Sequence, residues 1–450
     1  MDRAIGVETE YGLLGRSATG RLGSSEAAQL LFAPLEREYR SSNAFLPSGG
    51  RLYLDVGAHP EYATPECRTP RGAVVAGRAG DLLVLDLAAR AMADAEAAGT
   101  PCRLRLFKNN TDSYGNSYGS HENYQVARAT DPDALAGALT GFLVTRQLLC
   151  GNGRLERGSF RISQRADHLR EEFSATTTRA RPLVNSRDEP LADPARFRRL
   201  HVLAGDSNLS DPSAWLRLAT TELVVRLVED GDHLRRLRLA DPVAALPLVA
   251  RNPLAVLELA SGATITAVGL QREYADAVSA AQPGQEAVLG EWHKVLDALA
   301  ADDPDAIADT VEWAAKRRLL ADYRDRHGLP PDHPRLAAVD LAFHELGPAG
   351  LFARLEDRGV VRRCTTPAEV AEALTSPPEP TRAVARSRLV TAARAAGVHY
   401  SVDWLRFTVP GPPEDPAGDL SVTLSDPLAA ASAEVDALVA ELAGSRFAPY

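Results

Sequence analysis

Residues 4–11 read Ala-Ile-Gly-Val-Glu-Thr-Glu-Tyr, an extended stretch with two carboxylates two positions apart. Successive strand side chains point to opposite faces, so Glu8 and Glu10 share one face while Thr9 takes the other. Two carboxylates cannot be buried side by side without compensation. The stretch therefore folds in one of two ways. It is an exposed edge with a solvated acidic face, or an inner strand whose acids meet basic partners or a hard cation such as Mg²⁺.

The same alternation returns over 51–56, after the turn-forming Pro47-Ser48-Gly49-Gly50. Arg51, Tyr53 and Asp55 make a polar face; Leu52, Leu54 and Val56 make an apolar one that fits a core. Asp55 ends this strand beside Gly57, with Glu61 close behind, a placement suited to a general base or a metal-site partner. A third segment, 108–124, follows an expected strand over 102–108 and is dense in Asn, Ser, Gly and His. Such loops line sites or form solvated hairpins. No GxxxxGK[ST] string occurs, which excludes a P-loop. Residues 151–200 hold 11 arginines and 7 acids, against a net charge of −10 for the chain. Arg161, Arg165, His168 and Arg170, then Arg196, Arg198, Arg199 and His201, are candidates for a basic face toward phosphates or an acidic partner.

Helical periodicity predicts helices over 24–40, 79–98 and 131–149, interleaved with strands to about residue 230, a mixed α/β or α+β core. Beyond lie helical stretches at 212–229, 269–280, 285–299 and 304–325. The Pro-rich segment 376–381 marks a boundary between a large unit, 1–378, and a small one, 379–450. The small unit reads as a helix over 382–396, a strand over 400–408, and a final strand plus helix. With 45% apolar residues the chain can build a core without disulfides. Its four cysteines form no CxxC pair, its start lacks the plan of a signal peptide, and no run of ~18 apolar residues occurs. A cytoplasmic protein is expected, and the negative charge argues against nucleic acid and anionic membranes. Lysine is scarce, three against 47 arginines, as a GC-rich genome would produce.

Ten strings occur in order between Ile5 and about Leu442: IGVETEYG, SSNAFL, GGRLYLDVGAHPEYATPE, LFKNNTD, GNSYGSHENY, FLVTRQL, SQRADH, NSRDEP, RRLHVLAGDSN and VDWLRF. Together they resemble the Pup ligases and their depupylase/deamidase relatives, carboxylate–amine ligases of the glutamine-synthetase type. The resemblance implies an α+β fold: a large domain with a curved, mostly antiparallel sheet cradle backed by helices, plus a small C-terminal domain. It implies an ATP- and Mg²⁺-dependent enzyme that phosphorylates the C-terminal glutamate γ-carboxylate of Pup, a small, acidic, disordered modifier. A lysine of a target protein then attacks, and the isopeptide-linked target is marked for the proteasome. By motif, Glu8, Tyr53 and Glu61 are the implied Mg²⁺ ligands, Arg51, Thr64 and Trp404 the ATP contacts, and Asp55 the base. Glu10, His121 and Arg199 are added from chemistry and context, and Arg161 and Arg165 as candidates for the Pup groove. The depupylase branch carries a long insertion before the second strand; here only 39 residues separate Tyr11 from Arg51. Ser120 departs from the cysteine common in ligases. A glutamate–cysteine type ligase would share the chemistry but not the ten strings. A catalytically dead Pup-binding module would not need the intact set of Glu8, Tyr53, Asp55 and Glu61.

Overall fold

The acidic stretch at the start of the chain becomes β1, Ile5–Glu10. In the computed structural model the described residues are 2–55, 57–112, 115–231, 234–411 and 418–444, with 177 and 178 described as backbone only. Val56 of the expected second strand, and Ser113 and Tyr114 of the polar loop, lie outside them. Seven further strands join β1 in one sheet: β2 (Asn43–Phe45), β3 (Arg51–Leu54), β4 (Pro60–Ala63), β5 (Ser120–Ala127), β6 (Glu171–Ser174), β7 (Pro182–Asn185) and β8 (Phe197–Val202). Their order is β6-β7-β8-β5-β1-β4-β3-β2, so β1 is an inner strand and not an exposed edge. All neighbours are antiparallel except β6 and β7.

Register assigns every polar side chain to a face. Glu8 stands opposite His121 on one side and Ala63 on the other, and Glu10 stands opposite Glu61. Glu61 in turn faces Tyr53, and Ala63 faces Arg51. Asn123 pairs with both Gly6 and His201, and Arg199 with Gln125. Residues paired across strands share a face, so all of these project from one front face. The opposite parity gives an apolar back face.

The back face packs on helices. Ile5, Val7, Tyr124, Val126, Leu200 and Val202 share one core with α3 (Asp211–Asp230), which packs on the sheet, with α4 (Glu286–Ala300), which packs on α3, and with the N-terminal turn of α5 (Glu312–His327). Tyr11, Leu52 and Tyr62 meet α1 (Ser24–Tyr39) and α2 (Pro70–Ala97). Helix α2 starts well before the expected residue 79 because Thr69 caps it, accepting from Gly72 N, with Pro70 in the first turn. A β-carbon at Gly80 would lie 2.2 Å from the Tyr62 ring, so the helix backbone rests directly on that side chain. The helix expected over 304–325 is broken, since the Thr310 carbonyl accepts from the Ser210 and Ser213 hydroxyls instead of continuing a helix.

The small unit comprises α6 (Arg382–Ala396), three short strands and α7 (Ala433–Ala443). The strand expected over 400–408 is a hairpin, because Asp403 Oδ1 accepts from the N–H groups of Leu405 and Arg406 and turns the chain at Trp404. Leu389, Phe407, Val422 and Leu438 form this unit's own core, into which Phe45 of β2 inserts. A buried ion cluster makes the joint. Glu66, just past β4, accepts from Arg382 Nε at 2.6 Å and from Arg386 Nη2 at 2.5 Å.

Burial alone would raise the Glu66 carboxyl, but the Arg386 and Arg382 charges outweigh it and bring it down to about 2. A depression of that size corresponds to roughly 3 kcal/mol. This stabilisation is complete above the ordinary carboxylate range and is lost as pH falls toward 2. Glu66→Gln is therefore expected to lower the denaturant midpoint at pH 7. The difference from the native chain should narrow when the measurement is repeated at pH 3.

Candidate active site

Four carboxylates crowd the middle of the front face. Glu10 and Glu61 are paired across β1 and β4, Glu8 lies one pleat along, and Asp55 closes the end of β3. Glu10 and Glu61 are 8% and 5% exposed, too buried for water to screen them. Asp55 is held by the tight turn after β3: Gly57 N donates to its Oδ1, and its own N–H donates to the His59 carbonyl at 3.0 Å.

The environment splits the acids. Burial raises Glu8, yet hydrogen bonds and charge from His121 and His201 outweigh it and hold the carboxyl well below its usual range. His121 Nδ1 lies 3.0 Å from Glu8 Oε2, His201 Nε2 lies 3.7 Å from it, and Asn123 Nδ2 donates to Oε1 at 3.0 Å. For Glu61 the balance runs the other way. Burial, then Glu8 and Glu10, push it well above the usual range, with Asp55 adding to the effect. Glu10 is raised by burial and by Asp55, although His121 and Arg165 oppose the shift. The Tyr53 phenol is also raised, by burial and by Glu8 and Glu61, so it offers a neutral oxygen.

The polar loop closes over this cluster. Gly119 is placed so that a β-carbon would lie 2.4 Å from His121 Nε2 and 2.7 Å from Glu10 Oε1, so a larger residue would displace those side chains. Its carbonyl accepts from Glu10 N at 3.2 Å. The Tyr118 ring lies 4.6 Å from that of His59, tilted by 30°, and His59 Nδ1 is 3.9 Å from Glu10 Oε2. Ser120 points the other way, its hydroxyl accepting from buried Arg217 at 3.1 Å. The departure at this position thus lies off the front face.

Beside the acids, toward β8 and the small unit, a cleft of about 580 Å³ opens, lined by Gly6, Thr64, Arg198, Arg199, Arg382 and Trp404. Thr64 Oγ1 accepts from Val7 N at 3.0 Å. Arg199 is braced by Asn123 Oδ1 and by the Glu189 carboxylate. Trp404 is fixed edge-on to Phe45 at 4.9 Å, and the Arg386 guanidinium lies 4.8 Å from its ring. Arg51 stands further along the front face, over Tyr53 at 4.4 Å with Nε donating to Asn43.

The front face thus brings together Glu8, Glu10, Arg51, Tyr53, Asp55, Glu61, His121 and Arg199, with Thr64 and Trp404 at the adjoining cleft. Arg161 and Arg165 do not join an exposed basic face. Arg165 is 7% exposed and donates to the Leu203 carbonyl, its backbone held by Asp206, so its side chain is turned inward. Arg161 is largely covered, its Nε 4.0 Å from both Glu156 and Asp167. Sequence reasoning missed Glu66, Arg382 and Arg386 as the support of Trp404. Glu66 ends one of the ten strings, but no spacing rule links it to residues 316 and 320 positions away.

A carboxylate cluster continuous with a cleft walled by arginines and an aromatic ring is the arrangement of an ATP-dependent ligase. The chain belongs to the Pup-ligase family, whose model, described as Pup-ligase protein, matches residues 3–408. A Pup–protein ligase of Kocuria rhizophila is 42% identical, aligned over 98% of this chain and 99% of that protein. One of Xylanimonas cellulosilytica is likewise 42% identical over the same shares. The structure is similar to that of the ligase PafA in complex with Pup, with TM-score 0.92 and 37% identity over 99% of this chain and 93% of the other. It is also similar to PafA in complex with ADP, with TM-score 0.84 and 38% identity over 94% of each chain.

Burial, with the acidic neighbours, makes Glu61 a source of instability when no cation is present. At pH values between the ordinary carboxylate range and its raised folded value, folding forces it to keep a proton, at a cost that grows with pH. Glu61→Gln is expected to raise the melting temperature of the protein in chelator at pH 8, and to change it much less at pH 5.

Proposed function

We propose that the protein is an ATP-dependent ligase that phosphorylates the C-terminal glutamate γ-carboxylate of Pup and joins it through an isopeptide bond to lysines of target proteins. The observation that carries this reading is the common face of Glu8, Tyr53, Asp55 and Glu61 beside the cleft that holds Trp404. Family membership supports it, as does similarity to one structure solved with Pup and another with ADP. The depupylase reading is not favoured, since the two relatives described above, aligned over 98% of this chain, are Pup–protein ligases. Marking for the proteasome and a cytoplasmic setting belong to the same proposal. The four cysteines are all unpaired, as in a reducing compartment. Among the described residues no helix is long and apolar enough to cross a membrane.

The residues divide the work by chemistry. Glu8, Glu61 and the Tyr53 hydroxyl form an oxygen-rich donor set suited to Mg²⁺, and the burial and acidic neighbours that raise Glu61 are what a cation would offset. When bound, Mg²⁺ would neutralise charge on the transferring phosphoryl group. Trp404 offers a flat wall to an adenine ring, Thr64 lines the same cleft, and Arg51 supplies positive charge on the front face near the acids. Phosphorylation turns a carboxylate oxygen into a leaving group. The attacking lysine is cationic at neutral pH and must lose a proton, which Asp55 accepts. The Gly57 N–H holds that carboxylate in place.

Incubated with ATP, Mg²⁺, Pup ending in glutamate and a lysine-bearing acceptor protein, the native chain should yield an adduct larger by one Pup. Asp55→Asn should slow this by roughly 100-fold or more. Free Pup released from a preformed conjugate, with no new adduct, would reverse the assignment. In the same preparation Trp404→Ala should weaken ATP binding by about 10- to 100-fold, the size of one lost stacking contact. Unchanged nucleotide affinity by calorimetry would remove Trp404 from the site.

A further inference from the structure

The walls of the cleft beside the acids come from two distant parts of the chain, and one buried carboxylate is tied to both. Trp404 makes one wall. Its ring lies 4.8 Å from the Arg386 guanidinium, which donates to Glu66 Oε2 at 2.5 Å and to the Gly49 carbonyl at 2.9 Å. The segment between β7 and β8 makes the other wall, with Pro190 and Leu191 in the lining. Leu191 has a φ of +49°, in the left-handed region that a leucine occupies only where its surroundings hold it.

Arg382, at the start of α6, is what holds it. Its Nη1 donates to the Leu191 carbonyl at 2.6 Å and to the Leu424 carbonyl at 2.9 Å, while its Nε donates to Glu66 Oε1 at 2.6 Å. Two more ties join the same segment to the small unit. Asp193 N donates to the Ser425 carbonyl at 2.9 Å, and Arg196 Nη1 to Asp426 at 3.1 Å. Two residues before Leu191 stands Glu189, whose carbonyl accepts from Arg199 Nε at 3.0 Å and whose carboxylate accepts from Arg199 Nη2 at 3.1 Å. Arg199 also donates to Asn123, the residue that donates to Glu8. Polar contacts thus run without a break from Glu66 through the Leu191 wall to the front face. Glu66, Arg382 and Arg386 are all buried, so water cannot replace a lost partner.

We propose that Glu66 and Arg382 are positioning residues for the nucleotide: they set ATP affinity by holding Trp404 on one side of the cleft and Leu191, with Arg199 behind it, on the other. The proposal rests on the ligase reading above. The small unit supplies both ties, so ATP binding and docking of that unit favour each other.

The test measures conjugation of Pup to the lysine-bearing acceptor as a function of ATP, with Mg²⁺ in excess, for the native chain, Glu66→Gln and Arg382→Lys. The lysine variant keeps the charge but offers one nitrogen where arginine uses two. Both variants should raise the KM for ATP roughly 10-fold. Their kcat at saturating ATP should stay within about twofold of native, and the KM for Pup should not change. Val225→Ala separates position from stability. It removes packing from the buried face of α3, away from the cleft, so it should lower the melting temperature and leave the KM for ATP at the native value. Arg382→Lys decides the question alone if Glu66→Gln is recovered unfolded. A KM for ATP that neither variant changes, or that Val225→Ala raises equally, overturns the proposal and leaves the ligase reading intact. No conjugation by the native chain overturns that reading and the proposal with it.

Discussion

Mutual repulsion among Glu8, Glu10, Asp55 and Glu61 is the constraint around which the rest of the molecule is arranged. Four acids on one face of a sheet oppose folding, and each neighbouring element offsets part of that repulsion. Strands β5 and β8 bring His121, Asn123 and His201 against Glu8. Arg165 is buried where its charge reaches Glu10. Burial and acidic neighbours push Glu61 well above the usual range and raise Glu10 as well, so the fold disfavours the charged form of both. The repulsion is thus left unbalanced along this pair, and a divalent ion of the kind proposed above would balance it.

The back of the sheet shows why this is tolerated. Helices α2 and α3 cover it with a large apolar core, and a buried charge there is closely matched: Glu122 accepts two bonds from Arg146, at 2.5 and 2.8 Å, and one from Tyr124 at 2.6 Å. Tight packing on one face of each strand supplies stability that the acids on the other face erode. The joint at Glu66 extends the same logic sideways. Its two arginines fasten the small unit to the end of β4, and one of them also lies against Trp404. A single buried carboxylate therefore sets both how the small unit docks and where the aromatic wall of the cleft stands.

Much of the front face was legible from residue order. Period-two alternation placed Glu8 with Glu10, and Arg51 with Tyr53 and Asp55, because strand parity is a local property. Helix α6 was read with its boundaries intact, its stop marked by Gly397 in the left-handed region. What failed was non-local or depended on one side chain. Nothing in 161–165 shows that Arg165 turns inward to the Leu203 carbonyl, since arginine is usually exposed. The strand through Trp404 reads as continuous until the Asp403 side chain captures two N–H groups. The register of β1 against β4, which makes Glu61 a neighbour of Glu10, follows from pairing that only the folded sheet displays. The ten collinear strings supplied the chemistry that no periodicity could.

The contact between Gly80 and Tyr62 has a consequence for how the enzyme behaves on heating. Tyr62 follows Glu61 on β4, and its ring is pressed on the α2 backbone with no space for even a methyl group between them. Close packing of this kind couples strand to helix, so a shift of one is expected to displace the other and the acidic oxygen with it. Catalytic competence should then end abruptly, together with the cooperative melting of the whole domain, with no gradual decay beforehand.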